Sequence, residues 1–226
     1  LTRITLVMGQ KQQLLWDLPP RETWELNRAM YGVPVAEYRR TLDQLVAMLR
    51  VDALVDKPAR NLSLGERMKC ELIAALLHRP SVLFLDEPTI GLDVEMQAEV
   101  RRFIADYNAD TGATVLLTSH YMQDIVALTP RLLIIDQGTL RYDGSREELA
   151  RRVAPERRVI VREVLPDLQA LGFAVADQQM VATVAPESAN ARLSEVRRRH
   201  PMVEVGVESP PLEEVMARYF RREAVP

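Results

Sequence analysis

The sequence predicts an α/β fold built on a parallel sheet, and three observations predict it. Val82-Leu83-Phe84-Leu85 is an apolar run without polar alternation, the pattern of a strand covered on both faces. Residues 114–119, TVLLTS, are expected to be a second buried strand. Between the two, Val100, Phe103, Ile104 and Tyr107 recur at helical spacing, so strand, helix and strand follow in the order of a parallel crossover unit.

Taken in order, Ile4-Thr5-Leu6-Val7-Met8 reads as a first strand. The chain begins with Leu1 rather than Met, so a fragment is expected. Gly9-Gln10 breaks the strand, and Trp16 lies in the loop that follows. Pro19-Pro20 open a helix over 21–31, with Trp24 expected in the core. Leu42, Leu45, Val46 and Leu49 mark an amphipathic helix over 35–50. Ser63 with Glu66 three residues on is a capping box, opening a helix through Met68, Leu72, Ile73, Leu76 and Leu77. Cys70 reads as a buried, inert thiol, and His78 as a surface residue that compensates the helix dipole.

Residues 132–136 and 140–142, joined through Gln137-Gly138, read as a hairpin, and 146–152 as a helix. Beyond Pro155, strands at 158–162, 173–184 and 203–205 and helices at 165–171 and 189–199 make a small βαββαβ-like unit. A last helix is expected over 212–220. The division is therefore 1–154, with a helical subdomain from 19–61 to about 78, and an α+β extension over 155–226.

The chemistry concentrates at Asp86 and Glu87. Charges at the end of a buried strand resist desolvation, yet that is the edge where open α/β sheets bind ligands. One reading is a metal-and-water site; the other is an acidic turn ended by Pro88. His120 leaves the next parallel strand at the same edge. At Ser63, a helix N-terminus offers both a cap and free N–H donors to a phosphate.

These segments carry a resemblance. Residues 62–66 (LSLGE), 82–87 (VLFLDE), 91–93 (GLD) and His120 resemble, in order, the signature loop, Walker B strand, D-loop and switch histidine of the ABC ATPase family. The wording LSLGERMKCEL and LDEPTIGLD most resembles the ATP-binding subunits of bacterial drug exporters. The resemblance implies a P-loop NTPase-like fold acting on ATP with magnesium (Mg2+). By the same resemblance Asp86 holds the metal, Gln10 completes its shell as the Q-loop residue, and Glu87 is the general base on water. It gives His120 the γ-phosphate and Asp93 a contact with the facing protomer. Ser63, Leu64, Gly65 and Glu66 would meet the nucleotide held by a second ATPase subunit, in a homodimer or heterodimer. It further implies a separate transmembrane permease, docking near Trp16, and a cytoplasmic position on the inner face of the plasma membrane.

Two departures stand out. Leu64 replaces a glycine and Glu66 a glutamine, the latter putting a negative charge near an expected phosphate. None of the 9 glycines precedes a lysine, so no G-x-x-x-x-G-K-[ST] loop occurs in these residues. The chain alone is therefore expected to be inactive in hydrolysis, and a non-catalytic ABC-like remnant or binding module is the alternative.

Composition narrows the classes. With 47% hydrophobic and 27% charged residues the chain is globular rather than disordered. A net charge of -3 argues against a nucleic-acid binder that relies on a general basic field. With Cys70 alone there is no intrachain disulfide, and no apolar run approaches the ~20 residues of a membrane span. No sustained heptads separate Gln10 from the signature loop, unlike ABC proteins of chromosome maintenance.

Overall fold

The computed structural model describes residues 3–9 and 11–223. The chain divides into two units, Leu1–Thr129 and Pro130–Pro226. In the first, β1 (Ile4–Met8), β2 (Val82–Asp86) and β3 (Thr114–Thr118) form a parallel sheet in that spatial order. Their register ends all three together, with Met8, Asp86 and Thr118 in one row.

The expectation that 82–85 is covered on both faces needs correction. Val7, Leu83 and Leu85 are buried, whereas Leu6, Phe84 and Leu116, side by side in the register, are 45%, 37% and 41% exposed. Successive strand residues point to opposite faces, and among the described residues only one face is packed over. The apolar run thus records the strand's composition on both faces, while burial alternates.

Among the described residues this unit has the α-helices α1 (Pro20–Met30), α2 (Val35–Leu49), α3 (Leu64–Leu76), α4 (Val94–Thr111) and α5 (Met122–Leu128). From Met68 to Leu76 every residue of α3 is buried, so this helix is the centre of the core. Trp24 on α1 is wholly buried and its indole N–H donates to the Cys70 carbonyl at 3.0 Å, while Asn27 donates to the Ala74 carbonyl at 3.0 Å. These bonds satisfy polar groups that burial would otherwise leave costly. Burial pushes the Cys70 thiol up to about 12, which keeps it inert.

His78 is not the surface, dipole-compensating residue the sequence led us to expect. Its ring stacks on Tyr31 with centroids 3.9 Å apart, and neither ring nitrogen has a partner. Burial lowers its pKa, so packing rather than charge fixes it beyond α3.

In the second unit β4 (Arg131–Asp136) and β5 (Thr139–Ser145) form an antiparallel hairpin. Its two linking residues, Gln137 and Gly138, both have positive φ (48 and 74), as a tight primed turn requires. Then follow α6 (Arg146–Val153) and β6 (Arg157–Val161), β7 (Ala174–Ala176), β8 (Gln179–Val184) and β9 (Val205–Glu208), with α7 (Ala189–Arg199) between β8 and β9. The order β7-β8-β6-β9 is antiparallel throughout, and the expected βαββαβ succession is present with a 3₁₀ segment, Pro166–Leu171, as its first helix. The last strand starts at Val205 rather than 203, because the amide of Val203 is tied back to the His200 carbonyl in a turn. Helix α8 (Leu212–Glu223) places Val215 and Tyr219 in a small core with Leu149 and Val153. No helix among the described residues is long and apolar enough to cross a membrane.

Glu71 is the one strongly shifted carboxyl group of α3. It is 2% exposed, one of its oxygens has no partner, and the Arg67 guanidinium is 3.9 Å away. Burial raises its pKa from 4.5 to about 7. A raised carboxyl pKa contributes stability that is fully present below pH 4.5 and is lost as pH rises through about 7. Glu71→Gln is therefore expected to match wild type near pH 4.5 and to exceed it by on the order of 3 kcal/mol at pH 8. Urea denaturation across that range checks this; a pH-independent difference would contradict it.

Candidate functional site

The row of strand ends builds the site. Beyond it the backbone is stitched across: the Gly9 amide donates to the Asp86 carbonyl at 2.9 Å and the Glu87 amide to the Thr118 carbonyl at 3.0 Å. Glu87 has φ 52, a left-handed conformation uncommon outside glycine. A Cβ on Gly9 would lie 2.1 Å from the Glu87 carbonyl oxygen, so only glycine admits this close approach.

Side chains from two strands meet there. Thr118 Oγ1 donates to Asp86 Oδ1 at 2.6 Å. Glu87 Oε2 accepts from the His120 amide at 3.2 Å and lies 2.7 Å from His120 Nδ1. An ionised carboxylate only accepts, so the hydrogen of this pair sits on Nδ1. Tyr121 flanks the imidazole with ring centroids 4.1 Å apart, and the His120 side chain is 53% exposed. The structure thus brings Asp86, Glu87 and His120 to one solvent-open edge, able to orient water and to present carboxylate oxygen to a cation.

No group of three or more His, Cys, Asp or Glu able to hold a metal occurs among the described residues. A magnesium ion suits such an edge, because it binds through one or two carboxylates together with water and substrate phosphates. Gln10, expected to share in this shell, lies outside the described residues.

Ser63, Leu64, Gly65 and Glu66 form a second group at the start of α3. The Glu66 amide donates to Ser63 Oγ at 3.2 Å, and the Ser63 amide donates to Glu66 Oε2 at 2.7 Å, a complete capping box. Lys57 Nζ lies 3.5 Å from the same oxygen. The Ser63 amide, above all, holds the Glu66 carboxyl below its usual range. A Cβ on Gly65 would meet Met96 at 2.5 Å, and one on Gly91 would meet Leu64 at 3.0 Å. Asp93 caps α4 by accepting from the Met96 amide at 2.9 Å. The signature-like residues therefore pack against the Gly91–Asp93 turn; among the described residues no hydrogen bond or ion pair joins them to Glu87 or His120.

Sequence reasoning missed a buried node beside the edge. Asp124, on α5 and wholly buried, accepts from Thr89 Oγ1 at 2.5 Å, Ser119 Oγ at 2.8 Å and Arg101 Nη1 at 2.8 Å. The sequence carries no local signal that marks Asp124 out, and no element is expected there. Trp16 is 46% exposed, with the Arg67 guanidinium 5.8 Å over its ring.

A family model described as "AAA domain, putative AbiEii toxin, Type IV TA system" matches residues 38–122. The daunorubicin resistance ATP-binding protein DrrA3 of Streptomyces coeruleorubidus is 32% identical over 170 residues, covering 75% of this chain and 52% of that protein. The linearmycin resistance ATP-binding protein LnrL of Bacillus subtilis (strain 168) is 31% identical over 124 residues, covering 55% of this chain and 40% of that one. Both matches span only about half the relative's length or less. Among solved structures, cbiO1 from Clostridium perfringens, described as part of the ABC transporter complex cbiONQ, shares the fold with a TM-score of 0.58 at 21% identity, over 76% of this chain and 67% of that one. With the four motifs placed on a parallel α/β sheet of that fold, the chain is similar to the ATP-binding subunits of ABC transporters.

Proposed function

We propose that this chain carries the Walker B edge, signature loop and switch histidine of an ATP-hydrolysing motor subunit of a membrane exporter. The observation that carries this reading is the contact of Glu87 with His120 beside Asp86 at the shared strand edge. Residues 1–154 are the ATPase part, with the helical subdomain from 19–61 to about 78, and 155–226 are an accessory region. The motor works as a subunit dimer against a separate permease, which holds it at the cytoplasmic face of the membrane.

In this reading Asp86 and Gln10 hold magnesium, which neutralises phosphate charge when bound. Glu87 accepts a proton from the attacking water. His120 fixes the Glu87 carboxylate through Nδ1 and uses Nε2, when protonated, toward the γ-phosphate. Ser63 uses its side chain for the cap of α3, and the first helical bonds engage the Glu66 and Arg67 amides. The amides of Leu64 and Gly65 are the remaining donors for a phosphate of the partner's nucleotide. Asp93 lies at the facing protomer. These 226 residues hold no Walker A loop, so the chain by itself is inactive in hydrolysis, and that same feature favours a non-catalytic binding module as the second reading.

The full-length gene product tests both. Glu87→Gln is expected to lower ATP turnover by roughly 10²–10⁴-fold, the usual worth of a general base. Unchanged turnover would remove Glu87 from that role, and a wild type without turnover would favour the binding module. Glu66→Gln is expected to retain turnover within about tenfold and to leave stability within ~0.5 kcal/mol, since glutamine keeps the acceptor for the Ser63 amide. Complete loss of activity would contradict this.

A further inference from the structure

Three segments converge on Asp124, and each leads to a different part of the edge. Thr89 lies two residues beyond Glu87, and Ser119 immediately precedes His120. Both hydroxyls donate to the same oxygen, Oδ2, at 2.5 and 2.8 Å. Arg101, whose side chain is 13% exposed, donates to Oδ1 from α4, the helix that Asp93 caps. Two further bonds tighten the loops themselves. Ser119 Oγ accepts from the Tyr121 amide at 3.1 Å, and Gln97 on α4 donates to the carbonyls of Thr89 and Leu92 at 3.4 and 3.2 Å.

Such a group is expensive to bury. A carboxylate at zero exposure costs several kcal/mol unless it is paired, and a buried pair adds little net stability over apolar packing. What a fully satisfied network does add is fixed position. Among the described residues, Thr89 and Ser119 do not hydrogen-bond each other, and the only partner they share is Asp124.

We propose that Asp124 is a positioning residue that locks the Glu87 loop to the His120 loop, so that the Glu87–His120 contact is held before any ligand arrives. Its effect on catalysis rests on the motor reading above; the locking does not. By fixing two loops against α4, the same carboxylate also ties the Asp93 turn to the edge.

The test uses the full-length protein and begins with Thr89→Val, which keeps shape, removes one donor and leaves Asp124 paired with Arg101 and Ser119. Hydrogen exchange at the amides of residues 119–121 is expected to speed up by about tenfold, although Thr89 hydrogen-bonds none of them. In ATP hydrolysis Thr89→Val and Ser119→Ala are each expected to lower kcat more than they change KM. Their combined effect on kcat is expected to be smaller than the product of the single effects, because both act through one carboxylate. Asp124→Leu paired with Arg101→Met, which leaves no unpaired buried charge, is expected to fold yet lose kcat as far as the double hydroxyl variant. Unchanged exchange in Thr89→Val, or faster exchange with unchanged kcat, would overturn the proposal. If the wild type hydrolyses no ATP, the motor reading fails instead, and the exchange result alone decides the lock.

Discussion

The alignment of three parallel strands on a common last row is the constraint from which the edge follows. Parallel pairing sets Met8, Asp86 and Thr118 level, so each chain leaves the sheet at the same height. Two backbone bonds then cross beyond the row, from Gly9 to Asp86 and from Glu87 to Thr118. Between them Glu87 is held at positive φ, a conformation that costs a non-glycine residue about 1 kcal/mol or more. It persists because its amide is taken by Thr118, its carbonyl accepts from Ile90 at 3.2 Å, and Gly9 leaves room for that carbonyl. With the backbone turned this way, the Glu87 carboxylate meets the imidazole delivered by the neighbouring strand.

Behind the sheet, α3 supplies rigidity of a different kind. Most amphipathic helices bury one stripe; α3 buries nearly its whole length after the first turn. Leu72, Ile73 and Leu76 are wholly buried, and α1 closes over the helix through the Trp24 and Asn27 bonds to its carbonyls. A helix held on all sides cannot shift without disturbing the core, because interiors are close-packed. Its N-terminus is therefore a fixed platform. Glu71 and His78 are two polar groups of this interior with unpartnered atoms, and burial moves their pKa values toward the neutral form.

The sequence made the strands, their order and the edge legible, because apolar runs and the residues after them are local signals. The capping box, the hairpin turn and the burial of Trp24 and Cys70 were readable for the same reason. What a sequence does not display is which groups meet. Nothing beside it in the chain marks Asp124 until folding brings Thr89, Ser119 and Arg101 to it across separations of 35, 5 and 23 residues. His78 sits at a position where a charge would suit the helix end, but Tyr31 covers it. Likewise the run Val82-Leu83-Phe84-Leu85 records what each face of the strand is made of, whereas cover depends on what else packs there, and Phe84 remains 37% exposed.

The acidic residue in the signature-like loop illustrates how geometry can reverse an electrostatic argument. Read along the chain, Glu66 is a negative charge beside the donors of a helix N-terminus, where a phosphate would be repelled. In the fold its carboxylate turns back onto the Ser63 amide and lies near Lys57, so the local charge is largely balanced. The capping box engages the Glu66 amide, and among the described residues the amides of Leu64 and Gly65 have no hydrogen-bond acceptor. Gly65 is buried, and a Cβ there would run into the Met96 side chain, so the start of α3 packs closely on α4. The exchange of glutamine for glutamate thus changes the charge of the cap without removing the two amides that a helix N-terminus offers an anion.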